Sequence, residues 1–304
     1  MSAAARVLLT GPTGQLGRAL AASVPPGIEL IAPSRDELDL ADPGSCHAAV
    51  ARHRPGWVLN AGAYTAVDRA EAEPELALVV NAGGPGALAE AVAATGGHML
   101  QLSTDFVFDG GQGHPYAPSQ PAAPLGIYGA TKAEGERRVL EALGPERACV
   151  LRTSWVYGPV GRNFCLTMLR LHRERASRRE SLGVVADQVG CPTATHTLAE
   201  ACWAVLQRRL GGILHWSDAG AASWYDFAVA IGELAVERRL LSQAAPVHPL
   251  TTADYPTPAR RPAYSLLDCS GSRRRLGLAP VHWRAALAGV LERLASAPSD
   301  PSHP

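Results

Sequence analysis

Tyr128 and Lys132 stand four residues apart in a stretch that reads as helix, so a phenol and an ammonium become neighbours on one face. A phenol of pKa about 10 is a poor acid at neutral pH; a close ammonium stabilises its anion and draws that value down. A tyrosine tuned in this way can hand a proton to a carbonyl oxygen as hydride reaches the carbon. Lys132 is also the only lysine among 28 basic residues, so a compact ammonium is kept here in a chain otherwise committed to the planar guanidinium. Thr104, in Ser103-Thr104-Asp105 at the end of the apolar run from Met99 to Leu102, can donate a hydrogen bond to the same carbonyl. Tyr-x-x-x-Lys alone reads equally well as a surface helix pair. With a glycine turn near the N-terminus and Ser-Thr-Asp at a strand end, it implies carbonyl reduction with a nicotinamide as hydride source.

Such a site needs a nucleotide cradle. The apolar run Arg6 to Thr10 stops at Gly11-Pro12-Thr13-Gly14-Gln15-Leu16-Gly17, and a helical pattern follows through Val24. Strand, glycine turn and helix in that order let the backbone approach a pyrophosphate at a helix N-terminus. The spacing is G-x-x-G-x-x-G, which by itself also describes a plain tight loop. A second strand near Glu29–Ala32 ends at Pro33-Ser34-Arg35. An acidic residue there would suit the ribose 2′-hydroxyl of NADH; Ser34 and Arg35 suit a 2′-phosphate, so NADPH is expected and NADH remains possible. Asp39 and Leu40 could frame the adenine or form a surface turn. The strand from Trp57 runs into Ala61, Gly62, Ala63, Tyr64 and Thr65, whose small members allow a cofactor to lie against the backbone.

Glu71–Asn81 and Gly86–Ala94 read as two helices before the strand at Met99, and Gly110–Gly126 as a loop over the site. Repeated β-α alternation predicts an α/β fold, a Rossmann-type doubly wound parallel sheet with helices on both faces, and the alternation breaks down past Gly158. The nucleotide domain is expected over 1–155, with the helix at 195–209 returning to it. Residues 297–304, polar and Pro-rich, are expected to be disordered.

Composition narrows the classes. With 304 residues, 47% hydrophobic and 18% charged, and zero formal charge, the chain reads as a globular protein with a sizeable core. It has no basic block for nucleic acid and no run of 18 apolar residues for a membrane. Six scattered cysteines without a Cys-x-x-Cys pair suggest free thiols in a reducing cytoplasm, and the histidines show no metal-ligand spacing.

The motifs together resemble dTDP-4-dehydrorhamnose reductases, a branch of the extended short-chain dehydrogenase/reductases. They are Thr10-Gly11-x-x-Gly14-Gln15-Leu16-Gly17, Asn60-Ala61-x-Ala63-x-Thr65-x-Val67-Asp68-x-Ala70-Glu71 and Ser103-Thr104-Asp105-x-Val107-Phe108-Asp109-Gly110. Tyr128-Gly129-x-x-Lys132-x-x-Gly135-Glu136, Arg152-x-Ser154-Trp155-Val156-Tyr157, Asp187-Gln188-x-Gly190-x-Pro192-Thr193 and Arg261-Pro262-x-x-Ser265 follow. The resemblance implies two domains, the second a smaller C-terminal substrate domain mainly over 156–296, with NAD(P)H and a dTDP-linked 4-keto-6-deoxy sugar as ligands. Tyr128 is then the proton donor, Lys132 its pKa partner and ribose ligand, and Thr104 the tuning hydroxyl. Asp105 and Trp155 would touch the sugar, and Gly14 to Leu16, Asp39, Leu40 and Ala63 to Thr65 the cofactor. Two departures stand out. Phe106 replaces the usual Tyr, and Ala19 and the Val189-Gly190 pair replace glutamates with which some members hold Mg²⁺ across a dimer, leaving Glu292 alone. No metal is therefore expected, and a monomer or weak homodimer is. Antibiotic-pathway reductases of the dihydrostreptose type share the pattern, as does the regulatory subunit of methionine adenosyltransferase; intact Thr104, Tyr128 and Lys132 favour an enzyme.

Overall fold

Six parallel strands organise the computed structural model, which describes residues 5–296. They are β1 (Ala5–Thr10), β2 (Ile28–Ile31), β3 (Trp57–Asn60), β4 (His98–Thr104), β5 (Ala148–Thr153) and β6 (Gly212–His215). Their order across the sheet is β2-β1-β3-β4-β5-β6, every neighbouring pair parallel. β3 and β5 are buried along their whole length, which is why they read as unbroken apolar runs rather than alternating ones. The chain leaves β1 toward one edge and comes back at β3 on the other side. That reversal opens a crevice at the carboxyl ends of the strands, where ligands of such sheets bind.

Helices cover both faces, as the alternation predicts. On one face Gln15–Ala22 and Thr195–Arg208 bring Leu20, Leu198 and Val205 against Leu9, Leu59 and Leu151. On the other, Pro43–His53, Gly84–Thr95 and Ile127–Leu143 bring Val50, Leu88 and Val139 against Leu8, Val58 and Met99. A separate cluster gathers Tyr157, Phe227, Ile231, Trp283 and Leu287. It is enclosed by the helices Phe164–Arg178, Trp224–Glu237 and Trp283–Ser296 and by the paired strands Leu182–Val185 and Val247–Leu250.

Two features differ from the sequence expectation. The strand Gly212–His215 joins the central sheet beside β5, so more than the one helix of the later half returns to it. The two helices expected at Glu71–Asn81 and Gly86–Ala94 form one run from Pro74 to Thr95, carried through Val79–Gly83 as a π-turn. Pro85 has no N–H to give to the turn before it, and the wider π-turn takes the chain past that gap without ending the helix. By length and composition this run could cross a membrane, but 61% of its apolar window is buried, so its apolarity is spent in the core. The Pro-rich tail from Ala297 lies outside the described residues.

Candidate active site

The crevice holds a cavity of about 770 Å³. Its wall begins at the turn after β1. Gly11 has φ +63, and a Cβ there would lie 2.8 Å from Gly62 Cα; one on Gly17 would lie 2.1 Å from the Gly11 carbonyl oxygen. Only glycine lets strand, turn and helix close so tightly. Helix Gln15–Ala22 starts at Gly14 with no side-chain cap and no acidic residue in its first turn. Its first N–H groups are thus available to an anion.

The cavity is lined by Gly11 to Gly17, by Arg35, Asp39 and Leu40 beyond β2, by Ala61 to Thr65 after β3, and by Tyr128 and Lys132. Residues named as cofactor contacts from sequence therefore share one space, with one correction. Ser34 does not line it: the backbone N–H and the hydroxyl of Ser34 donate to Glu37 Oε2 at 3.0 and 3.2 Å. A carboxylate three residues downstream captures the hydroxyl that was expected to face a 2′-phosphate.

Sequence reasoning missed Asn81. It lies buried in the π-turn, accepts from Tyr64 N at 2.9 Å, and donates to Tyr64 O at 3.1 Å and to Thr131 Oγ1 at 3.2 Å. One amide thereby ties the loop after β3 to the helix carrying Tyr128 and Lys132. The only signal in the sequence was a lone Asn in an apolar helical pattern, and no spacing rule marks that. A buried polar ladder also went unseen. Thr10 Oγ1 donates to Asn60 Oδ1, Asn60 Nδ2 to Gln101 Oε1 at 2.7 Å, and Gln101 Nε2 to the Leu102 carbonyl at 2.8 Å.

Lys132 Nζ donates to that same Leu102 carbonyl at 2.6 Å. Burial lowers the ammonium to about 8, against the opposing pull of Glu136. Glu136 itself is buried in an ion pair with Arg152 at 2.7 Å and accepts from the Ser103 hydroxyl. The expected depression of the Tyr128 pKa is not found. Burial pushes the phenol up to about 12; the nearby Thr104 hydroxyl opposes the rise and the charge of Asp105 adds to it. With Nζ committed to Leu102, the i,i+4 spacing alone does not deliver the ammonium to the phenol.

Thr104 ends β4, donates to Asp105 Oδ1 at 3.1 Å and accepts from Phe106 N at 3.2 Å. Asp105 is buried, and its Oδ2 has no partner. Desolvation lifts its carboxyl to about 6, with the Ser265 and Thr104 hydroxyls holding it down. Trp155 lies outside the cavity wall, at φ +47, stacked on Trp224 with ring centroids 3.6 Å apart and planes 7° from parallel. A bulky side chain in the left-handed region is uncommon, and Trp224 is a second residue that no motif announced.

The model of the RmlD substrate binding domain family matches residues 5–296, the whole described chain. The chain belongs to the dTDP-4-dehydrorhamnose reductase family. It is 40% identical to the dTDP-4-dehydrorhamnose reductase of Aggregatibacter actinomycetemcomitans over 94% of its own length and 98% of the relative's. It is 42% identical, over 98% of both chains, to a probable dTDP-4,6-dihydroxy-2-methyloxan-3-one 4-ketoreductase of Streptomyces antibioticus. The crystal structure of dTDP-4-dehydrorhamnose reductase from Bacillus anthracis in complex with NADP superposes with a TM-score of 0.87, at 33% identity, covering 95% of this chain and 99% of that one. The Phe106 ring packs edge-on against Tyr128 with centroids 5.7 Å apart, so an apolar edge stands beside the phenol.

Proposed function

We propose that the chain reduces C4 of dTDP-4-dehydro-6-deoxy-L-mannose (dTDP-4-dehydrorhamnose), giving dTDP-L-rhamnose, with NADPH as the hydride source. The observation that carries this reading is Tyr128 and Lys132 on the wall of a cleft that starts at an uncapped helix N-terminus, with the Thr104 hydroxyl beside the Tyr128 phenol at the carboxyl end of β4. The glycine turn and the free first-turn N–H groups fit a dinucleotide pyrophosphate, and Arg35, 78% exposed at the side chain and 3.7 Å from Asp39, is the cation nearest to hand for a 2′-phosphate. Bound there, the dihydronicotinamide would supply the hydride to C4.

The residues of the chain supply the proton. The Tyr128 phenol gives its proton to the C4 oxygen, and the Thr104 hydroxyl steadies that oxygen. A phenol raised to about 12 releases its proton only if the phenolate is met by positive charge. Lys132 can meet it with the N–H donors not used on Leu102, since an ammonium carries three. At about 8 it is still mostly protonated at pH 7. Asp105, with one oxygen unpartnered, is placed to accept a sugar hydroxyl.

Purified protein incubated with NADPH and dTDP-4-keto-6-deoxy-L-mannose should oxidise the nucleotide and release dTDP-L-rhamnose, identified by NMR of the sugar. Absence of NADPH oxidation would remove the reductase reading. Turnover that is faster with a 4-keto-6-deoxy sugar of another configuration would support a sister deoxysugar reductase. Phe106 beside Tyr128 and the likeness to the Streptomyces antibioticus ketoreductase favour that second reading.

A further inference from the structure

We propose that Glu71 positions Tyr128 for proton transfer, and that Arg261 holds Glu71 in place through Asp68; the inference deepens the carbonyl-reductase reading and rests on it. Helix Ile127–Leu143 begins at Gly126, whose backbone is extended and which has no side chain to act as a cap. The first N–H groups of a helix need partners from elsewhere. Glu71 Oε1 accepts from Ile127 N at 2.9 Å, reaching in from the segment after β3. Gly126 makes that approach possible, since a Cβ there would lie 2.6 Å from the same oxygen. The carboxylate also complements the positive end of the helix dipole. Ile127 directly precedes Tyr128, so this bond fixes the turn that carries the phenol.

Glu71 follows the short helix Val67–Ala70, and that helix is anchored from the far end of the chain. Arg261 Nη1 donates to Asp68 Oδ1 at 3.0 Å and Nη2 to Oδ2 at 2.9 Å, and Ala259 N donates to Oδ1 at 3.3 Å. A two-pronged guanidinium contact sets orientation as well as distance. The same strap continues through Pro262, packed on Gly110, to Ser265, whose hydroxyl faces Asp105. Arg261 and Ser265 thus reach the reacting centre along two routes. One ends on Asp105, and the other runs through Asp68, Glu71 and Ile127 to Tyr128. Asp68 with Glu71, and Arg261 with Ser265, are pairs of motif residues that neither cofactor binding nor the proton step had explained.

The test compares wild type, Glu71→Ala, Glu71→Gln and Arg261→Lys. Each is measured for NADPH affinity by fluorescence titration, for kcat and KM with the dTDP-4-keto sugar, and for the isotope effect on kcat with 4-deuterated cofactor. Glu71→Ala should lose about 10-fold to 100-fold in kcat, in line with a misplaced catalytic group. Its NADPH affinity should stay within about twofold of wild type and its isotope effect should rise, because the chemical step has become slow. Glu71→Gln should recover most of the loss, since its amide oxygen still accepts from Ile127 N. Arg261→Lys, which loses the two-pronged contact, should show the same signature more weakly. A lower melting temperature with unchanged kcat and isotope effect per folded enzyme would make Glu71 a plain helix cap and overturn the proposal. If Glu71→Ala does not fold, Arg261→Lys decides: wild-type kcat and isotope effect there would break the link. A wild-type enzyme that binds NADPH but does not oxidise it would sink the reductase reading itself, and that failure shows before any variant is made.

Discussion

On the side of the cleft proposed to take the nucleotide, the lining groups come from three short loops after β1, β2 and β3, and much of what they offer is backbone. On the side proposed to take the sugar, Asp105, Trp155, Trp224 and Ser265 come from four separate segments, and two of them are in costly states. Asp105 is a buried carboxyl with an oxygen left unpartnered, and Trp155 holds a positive φ against a stacked indole. A pre-formed cradle for a common cofactor needs only tight turns. Selecting one sugar needs buried polar groups and strained backbone, which persist where surrounding structure over-determines them. Tyr128 and Lys132 sit where the two meet.

Replacing Tyr128 by Phe is the sharpest separation of the two sides. The turnover number should fall by about 10²-fold or more while NADPH affinity, set by the loops, stays near wild type. Steady-state kinetics beside a direct nucleotide titration would check it. Near-normal turnover would mean that another group supplies the proton.

Asn81→Ala attacks the nucleotide side from behind. It strips partners from the N–H and C=O of Tyr64 and from Thr131. Each buried group left unsatisfied costs about 1–3 kcal/mol. The variant should therefore unfold at clearly lower urea and bind NADPH more weakly. Stability and affinity both unchanged would show that water or a shifted loop replaces the amide.

The difference between the sides also governs what could be read from sequence. The parallel α/β sheet and the glycine turn were legible because they rest on local patterns: apolar runs, small residues, a helix start. Tyr128 and Lys132 were legible as neighbours, but the direction of the Tyr128 shift was not. It is set first by burial of the phenol, while Nζ is turned to a carbonyl in β4. Ser34 was misplaced for a similar reason, since its hydroxyl goes to an acceptor already within reach, the Glu37 carboxylate at 3.2 Å. Asn81, Trp224 and the Glu71 cap were invisible because each acquires its meaning only from a partner remote in sequence.

Asp105→Asn tests whether the sugar side does carry a stability penalty. A carboxyl raised from 3.8 to about 6 keeps its proton in the folded protein over a range where the unfolded chain has lost it. Folding stability from this group accordingly falls as pH rises from about 4 to about 6, and stays lowered above that. Two pKa units correspond to at most ~3 kcal/mol. Asp105→Asn should gain ~1–3 kcal/mol over wild type at pH 8 and almost nothing at pH 3.5, while KM for the sugar rises. The two chemical-denaturation curves would settle it; an equal gain at both pH values would trace the effect to packing instead of charge.

The smallest effect belongs to Arg35, the one cation lining the nucleotide loop beyond β2. Its guanidinium is 78% exposed and 3.7 Å from Asp39, so its attraction for a phosphate is screened by water and shared with a neighbouring carboxylate. Exposed pairs of this kind contribute under ~1 kcal/mol. Arg35→Ala should weaken NADPH binding by about 3–5-fold and leave NADH nearly unchanged, the gap closing as salt is raised. Glu37→Gln provides the counterpart. Removing the charge that captures Ser34 should loosen that hydroxyl and lower the negative potential near the 2′-position, favouring NADPH. If Arg35→Ala weakens both nucleotides alike, Arg35 acts on the part they share, and the choice between them must be made by residues on some other loop.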